Sequence, residues 1–163
     1  MQPALPIEFS YKVTDIFYAG EYPFEILPKD GIVKLNRLID FGIKHFIDLT
    51  SERLTKYNEF LPKHCTYMSL PIPDYTVPSF EKLKMAHDIV SQSKEKVYVH
   101  CKGGHDRTGV VVATYFIHAG LSPMLAKQKF YEVFVPPVRG RYPHSPLIET
   151  RWKVLTEYEQ FLK

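Results

Sequence analysis

KVYVHCKGGHDRTG, residues 96–109, is the stretch of sequence that decides the fold. Residues 96–100 are β-branched and aromatic, which predicts a buried strand. Cys101 opens a glycine-rich loop, and the apolar residues after Arg107 predict a helix that continues to about Ala119. A strand that passes through such a loop into a helix is typical of α/β proteins, which bind ligands at the carboxyl ends of their strands.

The rest of the chain alternates between strand-like and helix-like segments. Strands are expected at 16–19, 45–49 and 66–70, and helices at 31–41, 56–61, 80–93, 123–134 and 146–162. Ser79, Ser122 and Ser145 are expected to cap helices. We therefore predict an α/β fold with a central, mostly parallel sheet flanked by helices. No repeat or linker interrupts the chain, so residues 1–163 are expected to form a single domain.

The composition is that of an ordinary soluble protein, with 45% apolar and 24% charged residues. A net charge of +3 is too small to indicate a nucleic-acid partner by itself. Cys65 and Cys101 lack the spacing of a disulfide scaffold or a zinc site, so no metal and no cofactor are expected. The N-terminus does not resemble a signal peptide, and the longest apolar stretch is too short to span a bilayer. We expect a cytoplasmic monomer.

The loop after Cys101 has the features that a phosphate-binding site needs. Gly103 and Gly104 let the backbone curl so that N–H groups point inward at phosphate oxygens. The following helix adds its positive amino end. Arg107, six residues after Cys101, can grip two oxygens with its planar guanidinium. The alternative is a structural cysteine that lies near an arginine by chance.

The same donors favour a thiolate at Cys101, which would attack phosphorus to form a phosphocysteine. Thr108 is expected to donate a hydrogen bond to that sulfur when it becomes the leaving group. His100 is expected to fix the backbone through a buried hydrogen bond. Together these residues predict a phosphomonoester hydrolase with Cys101 as the nucleophile.

The pattern His-Cys-x5-Arg-Thr-Gly at 100–109 is similar to the signature of the protein tyrosine and dual-specificity phosphatase superfamily. The segments FYAGEYP (17–23), FIDLT (46–50) and LPIPD (70–74) resemble compact bacterial members, and the resemblance extends from 16 to about 152. It implies the cysteine-phosphatase fold. It also implies that the phosphate is surrounded by Lys102, Gly103, Gly104, His105, Asp106 and Gly109.

One carboxyl group can protonate the leaving oxygen and then activate water. The resemblance favours Asp74, since the superfamily carries its acid on a loop upstream of the cysteine; the alternative is that Asp74 only initiates a turn. Asp106 is a second candidate because Asp-Arg-Thr is similar to myotubularin and Sac-type lipid phosphatases, or it stabilises the helix start. Glu21 is a candidate partner of Arg107, and Asp48 a structural hydrogen-bond acceptor.

Several basic residues bear on the choice of substrate. Lys102 and His105 add positive potential at the loop, and Lys102 corresponds to a lysine found in some phosphoinositide phosphatases. Arg139 and Arg141 would add to this positive potential if their segment folds over the site. Arg151 stands where related bacterial sequences often carry a glutamine, which leaves the positioning of the hydrolytic water open.

The first choice of substrate is a phosphorylated protein, with phosphotyrosine preferred and dual specificity as an extension. A phosphoinositide or inositol phosphate is the alternative, and an RNA 5′-phosphatase, a non-catalytic phospho-binding module and a rhodanese-type sulfur transferase rank lower. Aromatic residues expected near the mouth can stack on a phosphotyrosine ring or serve as packing: Tyr22, Tyr75, Phe80 and Tyr142. Cys65 is expected to be a buried thiol, with a disulfide to Cys101 as the alternative.

Overall fold

The computed structural model describes residues 5–134 and 152–163. In this part of the chain the strands are β1 (Ser10–Lys12), β2 (Phe17–Gly20), β3 (Ile43–Asp48), β4 (Thr66–Ser69) and β5 (Lys96–His100). The helices are α1 (Pro28–Phe41), α2 (Phe80–Gln92), α3 (Asp106–His118), α4 (Pro123–Val133) and α5 (Lys153–Leu162). A 3-10 turn at Asn58–Phe60 takes the place of the short helix expected at 56–61.

The strands form one sheet in the order β1-β2-β5-β3-β4, with β1 antiparallel and every other pair parallel. This confirms the predicted α/β fold with a mostly parallel sheet. The central strand β5 pairs His100 with Gly20 on one side and with Asp48 on the other. Three strands therefore end side by side where the glycine-rich loop begins.

Alternate residues of β5 face opposite layers, as the two-residue period of a strand requires. Val97 and Val99 lie in a core formed with residues of α2, α3, α4 and α5, and Cys101 belongs to the same core. Tyr98 lies in a second core on the other face, which contains Leu38 of α1. The sheet is thus covered by helices on both faces.

Helix α1 begins at Pro28, three residues before the predicted start, because proline suits the first turn of a helix. It ends where predicted: Gly42 has φ +107° and its N–H bonds to the carbonyls of Leu38 and Ile39. Val33 was expected in the apolar stripe, but it is 54% exposed. Leu38 is fully buried, so the stripe is narrower than predicted.

The predicted serine caps are confirmed at two helices. Ser79 Oγ accepts a hydrogen bond from Lys82 N, and Ser122 Oγ accepts one from Leu125 N. Ser145, the third predicted cap, lies outside the described residues, and in the described part of this region the helix begins at Lys153. No helix within residues 5–134 and 152–163 combines the length and apolar character needed to cross a membrane.

Candidate active site

Cys101 directly follows β5 and is 3% exposed. Its Sγ accepts a hydrogen bond of 3.2 Å from the backbone N–H of Gly104. Helix α3 begins at Asp106, so the positive end of the helix faces the same loop. The predicted strand, loop and helix are all present, and the sulfur accepts a backbone N–H at the amino end of the helix.

Gly104 has to be a glycine for two reasons. Its φ is +80°, and a Cβ at this position would lie 2.4 Å from the carbonyl carbon of Gly20. A second contact joins the same segments, since Tyr22 N donates to Lys102 O at 3.0 Å. Gly103 has more room, with only the His105 ring 3.4 Å from a Cβ. The loop is therefore held against the residues that follow β2.

Arg107 is buried, with its side chain 2% exposed. Nη1 donates to the carbonyl of Ile72 at 3.0 Å, and Nη2 lies 2.6 Å from Glu52 Oε1. Nε lies 3.6 Å from Asp74 Oδ1. Burial acts to lower the pKa of Arg107, but Glu52, Cys101 and Asp74 outweigh it and raise that pKa. The guanidinium is therefore a fixed positive charge beside the sulfur.

Glu52 is a site residue that the sequence did not reveal. Glu21 was a candidate partner of Arg107, with a surface charge on a turn as the alternative, and it does not pair with Arg107. Glu21 Oε1 accepts from Phe9 N at 3.0 Å, and Oε2 lies 3.4 Å from Lys34 Nζ. Both carboxylates belong to irregular segments, where spacing gives no orientation. Only the position of Glu52 beyond the end of β3 could have suggested it.

Asp74 lies in a turn and is partly exposed, at 39% of its side chain. Its Oδ1 accepts a hydrogen bond of 3.0 Å from Tyr75 N, and Thr76 N donates to Pro73 O at 3.3 Å. Tyr75 has φ +61°, which is unusual for a residue other than glycine. Asp74 thus initiates a turn, as one interpretation held, and also reaches Arg107. Its role as the acid stays a prediction.

His100 is fully buried and forms two hydrogen bonds, and its Nδ1 also lies 3.9 Å from Asp48 Oδ1. Nδ1 lies 3.2 Å from the carbonyl oxygen of Cys101, and Nε2 lies 2.6 Å from the hydroxyl of Tyr57. A carbonyl only accepts, so we assign the proton to Nδ1 and let Nε2 accept from Tyr57. Burial lowers the pKa of His100. A neutral imidazole that braces the Cys101 backbone agrees with the expected role.

Asp48 agrees with the expected role of a structural acceptor. Its Oδ1 accepts from the N–H and the hydroxyl of Thr50 at 2.8 and 2.6 Å. Its Oδ2 accepts from the Tyr67 hydroxyl at 2.8 Å. These bonds anchor the segment that leads from β3 toward Glu52.

His105 does not supply the positive charge that we expected. Its ring stacks on Phe9, with centroids 4.5 Å apart, and burial lowers its pKa despite the opposing effect of Asp106. Burial therefore favours the neutral imidazole over the charged form that we expected. Asp106 is the first residue of α3, where a carboxylate stabilises the helix; this agrees with the structural interpretation of Asp106.

The remaining loop residues differ in what they can do. Lys102 is exposed at the rim, as a long-range attractor of phosphate would be. Thr108 is fully buried, and its hydroxyl has no hydrogen-bond partner within the described ranges, so the expected bond to Sγ is not formed here. Gly109 N donates to His105 O at 2.9 Å. The Gly109 N–H is therefore used by the helix and is not available to a phosphate, contrary to expectation.

Of the aromatic residues expected at the mouth, Tyr75 is 75% exposed and Tyr22 is buried. The Tyr22 hydroxyl donates to Thr55 O at 3.0 Å, and Phe80 packs on Tyr158 with centroids 5.8 Å apart. Tyr75 is the most exposed of these described residues, and Phe80 is half-buried. Tyr142, also expected at the mouth, lies outside the described ranges, as do the arginines expected beside the site or near the water: Arg139, Arg141 and Arg151.

Cys65 is too far from Cys101 to form a disulfide. Its Sγ lies 3.7 Å from the carbonyl of Ile43, at the start of β3, and Ile43 pairs with Lys96 at the start of β5. Cys101 follows the opposite end of β5. A strand rises about 3.3 Å per residue, whereas bridged Cα atoms lie within about 7 Å. Cys65 is a free thiol, as expected, but it is only partly buried, and this burial raises its pKa.

Residues 30–140 match a family model described as PTP-SAK, Swiss Army Knife protein, DSP-PTPase phosphatase domain. The tyrosine-protein phosphatase of Autographa californica nuclear polyhedrosis virus is 31% identical over 115 residues, which cover 65% of this chain and 65% of that protein. The chain spans between 32% and 65% of the length of the curated relatives that it matches.

Two solved structures share the fold. The crystal structure of Tk-PTP in the active form has a TM-score of 0.72 at 20% identity, covering 93% of this chain and 96% of that one. The crystal structure of PTPMT1 in complex with PI(5)P has a TM-score of 0.69 at 18% identity, covering 94% and 96%. At such identities the likeness extends to the fold alone.

Proposed function

The chain belongs to the PTP-SAK family of Swiss Army Knife proteins with a DSP-PTPase phosphatase domain, and on that premise we propose that it hydrolyses phosphomonoesters through Cys101. The observation that carries this proposal is that the Cys101 loop, the Arg107 guanidinium and the Asp74 carboxylate lie together. Gly104 N–H donates to Cys101 Sγ. The buried guanidinium of Arg107 lies within 3.6 Å of the Asp74 carboxylate.

Arg107 is held through Nη1 and Nη2, so that its Nε–H stays available to the substrate. Ile72 O engages Nη1 and Glu52 engages Nη2, which fixes the plane of the guanidinium. Nε has no hydrogen-bond partner in the part of the chain that the structure describes. A phosphate over the loop would take Nε and the loop N–H groups as donors, and a preorganised cation of this kind stabilises charge in the transition state.

The reaction takes two steps. The Cys101 thiolate attacks phosphorus, the P–O ester bond breaks, and protonated Asp74 gives its proton to the leaving oxygen. Asp74, now a carboxylate, takes a proton from water as that water attacks the phosphocysteine. The P–S bond breaks, inorganic phosphate leaves and the thiolate returns. The buried hydroxyl of Thr108 is available to donate to the departing sulfur, since no other partner holds it.

A phosphotyrosine side chain in a protein is the proposed substrate, with dual specificity as an extension. Tyr75 supports this choice, because it is 75% exposed and follows Asp74 directly. An aromatic leaving group would find in Tyr75 a ring on which to pack. The viral relative named as a tyrosine-protein phosphatase supports the same choice.

A phosphoinositide is the second candidate. Lys102 is exposed on the loop itself, where its ammonium would meet a second phosphate. The PTPMT1 structure with PI(5)P shows that this fold admits such a ligand in that protein.

Release of phosphate from p-nitrophenyl phosphate tests the enzyme class, at mildly acidic pH with a reducing agent and without metal. Wild-type protein is expected to be active and Cys101→Ser inactive. No release by the wild type would refute the proposal and leave a non-catalytic binding module.

A release assay across phosphotyrosine peptides, phosphoserine peptides, phosphoinositides and 5′-triphosphorylated RNA then separates the substrates. Preference for the lipid, lost in Lys102→Ala, would replace the first choice by the second.

A further inference from the structure

The hydroxyl of Tyr11 is buried and has no partner. Tyr11 is the middle residue of β1 and is 0% exposed. Within residues 5–134 and 152–163, its oxygen makes no hydrogen bond. A buried hydroxyl without a partner destabilises a protein, so such a group needs an explanation. No step of the mechanism described above uses it.

The sheet register brings Tyr11 and Cys101 to the same side. Tyr11 pairs with Ala19 of β2, which pairs with Val99 of β5. Side chains two residues apart on an extended chain point to the same face, so Val99 and Cys101 share a face. Tyr11 and Cys101 accordingly belong to one buried apolar cluster. Tyr11 thus lies in the same core as the nucleophile.

The ring of Tyr11 is fixed by its neighbours. Phe134 packs edge-on against it, with centroids 5.5 Å apart, and Phe9 lies 5.8 Å away. Phe9 in turn stacks on His105 of the active-site loop. The phenol cannot swing out to solvent, and only the hydroxyl hydrogen is free to rotate.

Among the charged groups around Tyr11, Cys101 is the one that affects the pKa of its hydroxyl. Burial raises the pKa of Tyr11 well above its ordinary value, and the Cys101 thiolate raises it further. Tyr11 therefore keeps its proton at every working pH. Tyr98 senses Cys101 as well, but its hydroxyl already donates to Glu21 O at 2.6 Å. Tyr11 differs because its donor is uncommitted.

We propose that Tyr11 is a further residue of the active site, whose unpaired hydroxyl turns its O–H dipole toward the Cys101 sulfur when that sulfur is negative. The inference rests on the proposed function, since it concerns the nucleophile of that reaction. Little water separates the two groups in the core, so a dipole acts strongly on the charge. The dipole of Tyr11 would add to the hydrogen bond that the Gly104 N–H donates to the same sulfur.

Tyr11 would then extend activity toward lower pH, because it stabilises the thiolate against protonation. Other charged or titratable groups near the sulfur are already engaged by partners other than Tyr11. The charged and titratable neighbours are Arg107, held by Glu52; Tyr98, bonded to Glu21; His105, stacked on Phe9; and His100, bonded to Tyr57. Tyr11→Phe removes none of the groups that make these contacts, although Tyr98 loses its charge interaction with Tyr11.

Tyr11→Phe tests the inference, with Tyr158→Phe as the matched control. Tyr158 is equally buried in the same cluster, but its hydroxyl lies 3.4 Å from His118 Nδ1, on helices away from the loop. The thiolate is titrated by its ultraviolet absorbance, with Cys101→Ser as the blank, which requires no turnover. The acidic limb of kcat/KM against pH and the melting temperature are measured in parallel.

Tyr11→Phe is expected to raise the melting temperature by about 3 °C, because a buried hydroxyl without a partner is removed. It is also expected to move the thiolate titration and the acidic limb upward by about half a pH unit, a roughly threefold loss of activity on that limb. Tyr158→Phe should move neither curve and should lower the melting temperature.

A higher melting temperature with an unmoved titration would overturn the inference and leave a packing defect. A lower melting temperature in Tyr11→Phe would overturn it too, since the hydroxyl would then have a stabilising partner. A shift of equal size in Tyr158→Phe would do the same. A wild type that releases no phosphate refutes the proposed function alone, because the titration still reports on Tyr11.

Discussion

Glu52 and Arg107 form a close ion pair, with 2.6 Å between Oε1 and Nη2, although 55 residues separate them. The pair joins the segment after β3 to the start of α3. Arg107 is almost fully buried and Glu52 is 27% exposed, so the pair is far better shielded from water than a surface ion pair. It explains how the guanidinium stays in one orientation above the loop.

Replacing Glu52 by glutamine should lower kcat/KM for an aryl phosphate by roughly 10- to 100-fold, because the guanidinium loses a charged partner that orients it. Most of the loss should appear in KM, since phosphate binding depends on that orientation. Glu59→Gln is the control, as Glu59 lies in the exposed 3-10 turn of the same connection. Unchanged kinetics in Glu52→Gln would exclude this role.

Asp74→Asn should affect substrates according to their leaving group. A general acid contributes about 10²- to 10⁴-fold, and an alkyl alcohol needs that proton more than p-nitrophenol does. The rate with an alkyl phosphate should therefore fall further than the rate with p-nitrophenyl phosphate. Asp40→Asn, an exposed change on α1, is the control. Should Asp106→Asn show this pattern instead, Asp106 would be the acid.

Gly104→Ala should be more harmful than Gly120→Ala. Both glycines have positive φ, at +80° and +100°, and an alanine in that conformation costs about 1 kcal/mol. At Gly120 a Cβ meets nothing within 4 Å, whereas at Gly104 it meets backbone at 2.4 Å. We expect a loss of about 1 kcal/mol in unfolding free energy for Gly120→Ala and about 3 kcal/mol or more for Gly104→Ala.

Urea denaturation measures both changes, and phosphate release measures activity. Only Gly104→Ala should abolish turnover. Equal stability losses at the two positions would show that the loop can move away from Gly20.

The buried His87 should make the fold sensitive to acid. Its Nε2 contacts Thr114 Oγ1 at 2.9 Å, and its Nδ1 has no hydrogen-bond partner in the described ranges. Burial, with His118 adding to it, lowers the pKa of His87 well below its ordinary value. At acidic pH, His87 therefore binds a proton in the unfolded chain but stays neutral in the folded chain. Stability is complete above about pH 6.5 and falls as the pH drops below it.

Unfolding free energy in urea should fall by at most about 1.7 kcal/mol per such histidine between pH 6.5 and pH 5. His87→Gln should reduce this fall, while His64→Gln, an exposed change, should leave it as it is. A wild-type stability that does not vary over this range would contradict the account. His100, whose pKa burial also lowers, contributes to the same fall.

The sequence was sufficient where local rules decide the structure. The strand β5, the loop at Cys101 and helix α3 were predicted within a residue or so, because a β-branched run, two glycines and an apolar helix leave few alternatives. The caps at Ser79 and Ser122 follow from the same kind of rule.

Contacts between distant segments could not be predicted. Strand β1 has only three residues, and its pairing with β2 is what makes it a strand. Glu21 was considered as the partner of Arg107 and Glu52 was not, because both lie in irregular connections, whose path depends on packing. The neutral state of His105 depends on Phe9 of the segment before β1, which no local pattern connects with the loop.

Arg107 also bears on how the site is assembled during folding. It draws together α3, the connection that carries Glu52 and the connection that carries Ile72, which are 55 and 35 residues away. Contacts between such distant segments form late, because long loops must close first. After dilution from denaturant, turnover should therefore recover later than the helical circular dichroism signal. The delay would report when the connections that carry Glu52 and Ile72 dock on Arg107.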